Sequence, residues 1–319
     1  MRAGLLAMLL VCAACAQQEV KQQFDLAVKY QNGDGVPANP GKAAELYTNA
    51  AKRGYAPAEF NLAVMYHSGE AMAKDAAQAA YWYAQAAEHG DQEAPLILAT
   101  IYDSADGIPR DAQKAAHWFQ KAAERGDADA QVSLATMYGR GDGVPLDPAR
   151  AAEWYTKAAA QGRMHAQFNL AMMYARGEGL TKSSTVAAQW YRKAAEQDHP
   201  VAQYNLGALY YNGDGVSRDL NEAVEWFNKV AAAQPNNLDV RTDLGTALWN
   251  AGQREKAMAE YQSILQANPK HIATLHNLAV VHLSEKDFSA AERVIKQIEA
   301  IDPKYEGLAS LKQRLAEKK

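Results

Sequence analysis

A tyrosine returns every thirty-six residues along this chain, at Tyr30, Tyr66, Tyr102, Tyr138, Tyr174 and Tyr210. Six beats without a slip of register leave few folds open. A period of that size marks stacked supersecondary units, each of which buries its apolar face only against its neighbours. Other columns keep the same phase. Leu26, Leu62, Leu98, Leu134, Leu170 and Leu206 stand four residues before each tyrosine, so leucine and tyrosine share one face of a helix. Ala27, Ala63, Ala99, Ala135, Ala171 and Gly207 follow the leucines, and a small side chain there lets a second helix approach closely.

A glycine turn follows each beat, as in Asn32-Gly33-Asp34-Gly35-Val36-Pro37 and Gly213-Asp214-Gly215-Val216. Glycine tolerates the positive φ with which helices commonly stop. Ala71 and Ala105 each replace one of these glycines, so those two turns are expected to differ. Nine residues after each tyrosine stand Asn39, Asp75, Asp111, Asp147, Ser183 and Asp219, all of them residues whose side-chain oxygen caps a helix N-terminus. A second helix is therefore expected in every unit. It carries Ala43, Ala79, Ala115, Ala151, Ala187 and Ala223, then an aromatic pair such as Trp82-Tyr83 or Trp190-Tyr191. The tryptophans are read as core between units. Gly54, Gly90, Gly126 and Gly162 end this helix. Asp198 and Gln234 replace that glycine in the last two units, where a changed exit is expected.

The joint pattern, A-x-x-x-L-A/G-x-x-Y-x-x-G-x-G-V-x-x-D with W-Y/F-x-K-A-A-x-x-G, closely resembles the Sel-one-like repeat family over residues 21–234. The resemblance implies an all-α, right-handed superhelix that serves as a protein-interaction adaptor, with many bacterial members working in the cell envelope. The period then shortens to thirty-four, marked by Pro235, Pro269 and Pro303. Leu244-Gly245, Ala257, Tyr261 and Pro269 resemble a tetratricopeptide repeat, and Leu278-Ala279, Ala291, Ile295 and Pro303 repeat it. The expected organisation is a signal segment over 1–16, six Sel-one-like pairs over 17–234, two tetratricopeptide pairs over 235–303, and a capping helix over 304–319.

The N-terminus reads as a targeting segment, with Arg2 ahead of an apolar stretch too short to span a membrane. Two cleavages fit. Ala14-Cys15-Ala16 suits ordinary signal peptidase. Cys12-Ala13-Ala14-Cys15 resembles a bacterial lipobox with Cys15 as the lipidated residue, although such boxes carry leucine in place of Cys12. Lipidation is the favoured reading, because cysteine is absent from the rest of the chain. Ala16, rather than aspartate, then implies an outer-membrane address. Either route puts the protein in the bacterial envelope, periplasmic or outer-membrane-anchored.

Catalysis finds no support. The chain has no H-E-x-x-H, no G-x-S-x-G and no Ser-x-x-Lys in a catalytic setting. A β-lactamase-like or penicillin-binding hydrolase therefore ranks low among the alternatives. A polysaccharide-export or peptidoglycan-associated scaffold and a secreted effector are the others. The glycine turns follow helices, not strands, which removes the usual phosphate-binding context. His271, His276 and His282 are spaced by five and six, which puts them on different helix faces and argues against a metal. No cofactor is expected. A net charge of −4 without a basic run argues against nucleic acid.

The sharper expectation is a peptide groove. By resemblance to groove-binding tetratricopeptide proteins, the first helix of each pair lines the groove. An asparagine there can hold a peptide main chain, because one amide both donates and accepts. Asn61, Asn169, Asn205 and Asn277 stand immediately before the column leucines, preceded in the first three by Phe60, Phe168 and Tyr204. Trp249 and His276 are expected to face the same groove. The expected function is a non-catalytic scaffold that holds an envelope protein or an extended peptide segment, touching the membrane only through an anchor at Cys15.

Overall fold

The computed structural model describes residues 2–317, with side chains from Cys15 to Glu317. The side chains of the apolar leader, Cys12 among them, lie outside the described residues. The described residues form seventeen helices and no strand. They divide into two compact bodies, 1–163 and 164–319.

The first body holds α1 (Arg2–Asn32), α2 (Pro40–Ala51), α3 (Ala56–Ser68), α4 (Ala76–Glu88), α5 (Ala94–Ser104), α6 (Ala112–Glu124), α7 (Ala128–Arg140) and α8 (Pro148–Ala160). The second holds α9 (Met164–Arg176), α10 (Ser184–Ala195), α11 (Pro200–Asn212), α12 (Leu220–Ala233), α13 (Leu238–Asn250), α14 (Arg254–Ala267), α15 (Ile272–Ser284), α16 (Phe288–Ile301) and α17 (Gly307–Ala316). Within each body every helix packs on the next. Consecutive helices pair into hairpins, the hairpins stack, and α17 closes against α15 and α16. The expected all-α stack of helix pairs is thus the architecture of both bodies. In the second, α12 packs on α13, so the stacking continues through the change of period.

The repeat columns show why the stack forms. Every cap residue from Asn39 to Asp219 accepts hydrogen bonds from the first turn of its second helix. Its own backbone N–H donates to the carbonyl of the beat tyrosine nine residues earlier, as from Asp75 to Tyr66 at 2.9 Å and from Asp219 to Tyr210 at 3.0 Å. The tyrosine period therefore also times the closure of each turn. The leucines from Leu62 to Leu206 and the alanines that follow them are buried, as are the alanine columns of the second helices. Small residues on both helices bring the backbones together. At Gly245 a β-carbon would come within 2.5 Å of the Tyr261 ring, so only glycine permits the approach of α13 to α14.

Three expectations change. Ala71 and Ala105 adopt φ of 70° and 58°, the same left-handed geometry as the glycines they replace. The turn is set by its neighbours, and alanine bears the strain, about 1–2 kcal/mol per residue. Asp198 likewise keeps φ at 62°, so the fifth exit is unchanged, whereas Gln234, at φ −128°, leaves its helix differently. In the aromatic pairs the second member is buried throughout, from Tyr83 to Phe227. Of the tryptophans only Trp226 is buried; the others are half-buried at the margins of the core, and lysine ammoniums cover Trp154, Trp190 and Trp226 at 3.8–4.0 Å.

Candidate functional site

The candidate groove residues all lie on first helices of hairpins. Phe60 and Asn61 are on α3, Phe168 and Asn169 on α9, Tyr204 and Asn205 on α11, Trp249 on α13, and His276 and Asn277 on α15. All nine are half-buried. For Asn61, Asn169 and Asn205 the hairpin fold explains this placement, because each precedes a fully buried leucine and so sits at the edge of the apolar stripe.

Their neighbours differ. Each aromatic packs on the buried ring of its own second helix: Phe60 on Tyr83 at 5.5 Å, Phe168 on Tyr191 at 6.0 Å and Tyr204 on Phe227 at 5.4 Å between ring centres. Asn61 bonds the Tyr47 hydroxyl, Asn205 bonds that of Tyr191, and Asn277 donates to Thr246 Oγ1 at 2.9 Å. An amide carries one acceptor and two donors, so each asparagine keeps capacity after a single bond. Trp249 lies under the Arg254 guanidinium at 5.3 Å. His276 takes a different place from the one expected. Its ring meets Tyr305 at 5.7 Å, its Nδ1 is buried without a hydrogen-bond partner, and a β-carbon on Gly307 would touch it. The capping segment thus covers this histidine, and burial, then the nearby Arg314, lowers its pKa. His271 goes elsewhere, to Thr274 at 2.8 Å and Asp239 at 3.2 Å.

Tyr204 opens onto a cavity of about 310 Å3 between α11, α12 and α13, edged by exposed Val201 and Asp239, half-buried Asp243 and buried Val240. Its hydroxyl donates to Asp243 at 2.7 Å. Burial, then the Asp243 bond, pushes the Tyr204 hydroxyl up to about 12, and burial also raises the Asp243 carboxyl.

A further column, three residues before each leucine, was not singled out from the sequence. It reads Gln23, Glu59, Pro95, Gln131, Gln167 and Gln203. Gln131 donates to Ala123 O at 3.1 Å and accepts from Gln161 at 2.9 Å. Gln167 accepts from Gln197 at 2.8 Å. Gln131 thus ties the start of α7 to the ends of both α6 and α8, and Gln167 ties the start of α9 to the turn after α10. Glu59 replaces the amide by a carboxylate, 1 % exposed, held by His89 Nδ1 at 2.8 Å. The column keeps the phase of the repeat, but glutamine resembles any other surface residue until its burial is known. Among the described residues, no group of side chains has the makings of a metal site, and no helix is long and apolar enough to cross a membrane.

Comparison with known proteins agrees with this architecture. The Sel1 repeat matches six times, over 23–55, 56–91, 96–127, 128–162, 165–199 and 200–234, and a tetratricopeptide repeat matches 251–315. A protective antigen present in uropathogenic Escherichia coli, c5321, displays this repeat fold. It is 31% identical over 90% of this chain, with a TM-score of 0.65. This chain spans 62% of that protein's length. A Sel1 repeat protein from Oxalobacter formigenes is 32% identical, with 80% of this chain and 74% of that one covered and a TM-score of 0.56. YrrB, a tetratricopeptide protein with an unusual peptide-binding site, shares the fold at 19% identity, covering 62% of this chain and 99% of its own, with a TM-score of 0.51. No curated protein gives a significant match.

Proposed function

We propose that this chain, which belongs to the Sel1 repeat family and carries a tetratricopeptide region behind it, is a non-catalytic scaffold of the bacterial cell envelope. Repeat proteins of this type bind other proteins. Here the guest is an envelope protein or an extended peptide segment, held by the first helices of the hairpins. One observation carries the reading: half-buried asparagine–aromatic pairs recur on those helices, with Phe168-Asn169 and Tyr204-Asn205 on neighbouring first helices of one body. The aromatics are already packed on their own hairpins and the asparagines retain hydrogen-bonding capacity. A guest therefore meets contacts in place, with little further ordering cost. The envelope address rests on the apolar leader and on Cys15, which is exposed at the start of the described side chains.

In-cell crosslinking tests the groove. Wild type and an Asn61/Asn169/Asn205→Ala variant are crosslinked in the producing bacterium and the captured proteins identified. Loss of the main captured species is expected. Because Asn61 and Asn205 also bond tyrosines, the variant is melted alongside, and Asn169→Ala alone serves where the triple variant is poorly folded. Equal capture by folded variants refutes the groove.

A further inference from the structure

The fifth repeat breaks the pattern of its siblings at one place that faces a cavity. Arg192, on α10, occupies a column that elsewhere holds Thr48, Ala84, Gln120, Thr156 and Asn228. It lines a cleft of about 510 Å3, together with Trp190, Lys193, Tyr210 and Val216.

The two cations are supported by aromatic rings. Lys193 Nζ lies 4.0 Å from the centre of Trp190, and the Arg192 guanidinium 5.4 Å from that of Tyr210, donating to its hydroxyl. In other repeats the cation over the beat tyrosine comes from its own hairpin: Lys42 over Tyr30, Lys114 over Tyr102 and Arg150 over Tyr138. In the sixth repeat that place is Glu222, which accepts from the Trp226 indole at 3.1 Å. Arg192 of the preceding hairpin reaches Tyr210 instead, which brings it to the cleft. Neither Arg192 nor Lys193 forms an ion pair with a carboxylate among the described residues, although Glu196 lines the same cleft. Arg150, by contrast, pairs with Asp147. The N-cap of α10 is also neutral, Ser183 where four of its five counterparts are aspartate.

A guanidinium has five N–H donors in a planar fork suited to a carboxylate. Beside it stand a half-buried indole and Val216, which favour an apolar side chain. Resting on the reading of this chain as a protein-binding scaffold, we propose that the cleft between α10 and α11 takes an acidic peptide segment of the partner. A Glu or Asp carboxylate sits between Arg192 and Lys193, and a neighbouring apolar side chain lies on Trp190.

The probe is the synthetic peptide acetyl-Gly-Glu-Phe-Glu-Gly-amide, titrated into the full chain while the Trp190 indole and Arg192 side-chain NMR signals are followed. Both signals are expected to shift. Replacing the peptide's glutamates by glutamine should weaken binding by about tenfold, as loss of a charge-assisted bond implies. Arg192→Thr, which restores the residue of the first and fourth repeats, should weaken it as much, and Lys193→Gln provides the same test if that variant folds poorly. Equal shifts with the glutamine peptide overturn the proposal. So does inorganic phosphate matching the acidic peptide, which makes the cleft a small-anion site, and so does the absence of shifts at both residues. Unchanged crosslinking by the asparagine variant, with peptide binding at the cleft intact, sinks the groove and leaves this site standing.

Discussion

The second glycine of the turn offers a sharp test of how the hairpins lock together. Gly35 and Gly143 occupy the same column, with φ of 73° and 71°. A β-carbon on Gly35 would meet nothing within 4 Å. On Gly143 it would lie 2.1 Å from the Ala112 carbonyl oxygen, at the start of α6 in the preceding hairpin. Carbon and oxygen need about 3.3 Å, and the obstacle is backbone, which cannot swing aside. Gly35→Ala carries only the left-handed penalty of about 1–2 kcal/mol, offset by roughly 0.4–1 kcal/mol from a less flexible unfolded chain. The net cost is about 1 kcal/mol. The chain already accepts this substitution once in the column, at Ala71. Gly143→Ala adds overpacking of about 2 kcal/mol, the middle of the usual range, for a total near 3 kcal/mol. Native-state hydrogen exchange reads such local stability in repeat arrays. At about 1.4 kcal/mol per factor of ten, Gly143→Ala should cost the amides of α5–α8 about a hundredfold in protection. Gly35→Ala should cost α1–α2 about fivefold. Equal losses refute the idea that the turn glycine serves the contact between hairpins rather than only its own φ.

Glu59→Gln should leave the chain at least as stable at pH 7. Burial raises the Glu59 carboxyl above its ordinary value, only partly countered by His89. Its contribution is therefore fully present below the unfolded pKa and fades as pH rises through the folded one; a wild type that gains on the variant between pH 4 and pH 7 in urea unfolding contradicts this. For the proposed anchor, radiolabelled palmitate should enter the wild-type protein and be lost from Cys15→Ser, and equal labelling of both sinks it.

Much of the fold was legible because a repeat states its rules several times. One Asp-Pro is ambiguous; Asn39, Asp75, Asp111, Asp147, Ser183 and Asp219 in one phase are not, and all six cap a helix. Departures from the pattern were harder to read. Ala71, Ala105 and Asp198 look like changed geometry in the sequence, yet keep φ of 58–70°. The conformation of a turn is imposed by the hairpins on either side, and one unfavourable residue is a small term against them. The candidate site was legible only as helix faces. Placement of the asparagines on first helices followed from their spacing, but their tyrosine partners did not, because those lie on another helix.

The sequence by itself determined the helices, their pairing and the order of stacking, since these follow from periods of apolar, small and capping residues along one chain. Only the tertiary structure decided which polar groups are buried and which charges stand unpaired. Glu59 reads as surface and is 1 % exposed, while Arg192 reads as an ordinary helix residue and stands in a cleft. Burial and pairing depend on what the neighbouring hairpin brings to a point in space, some thirty residues away in the chain, and no local pattern encodes that.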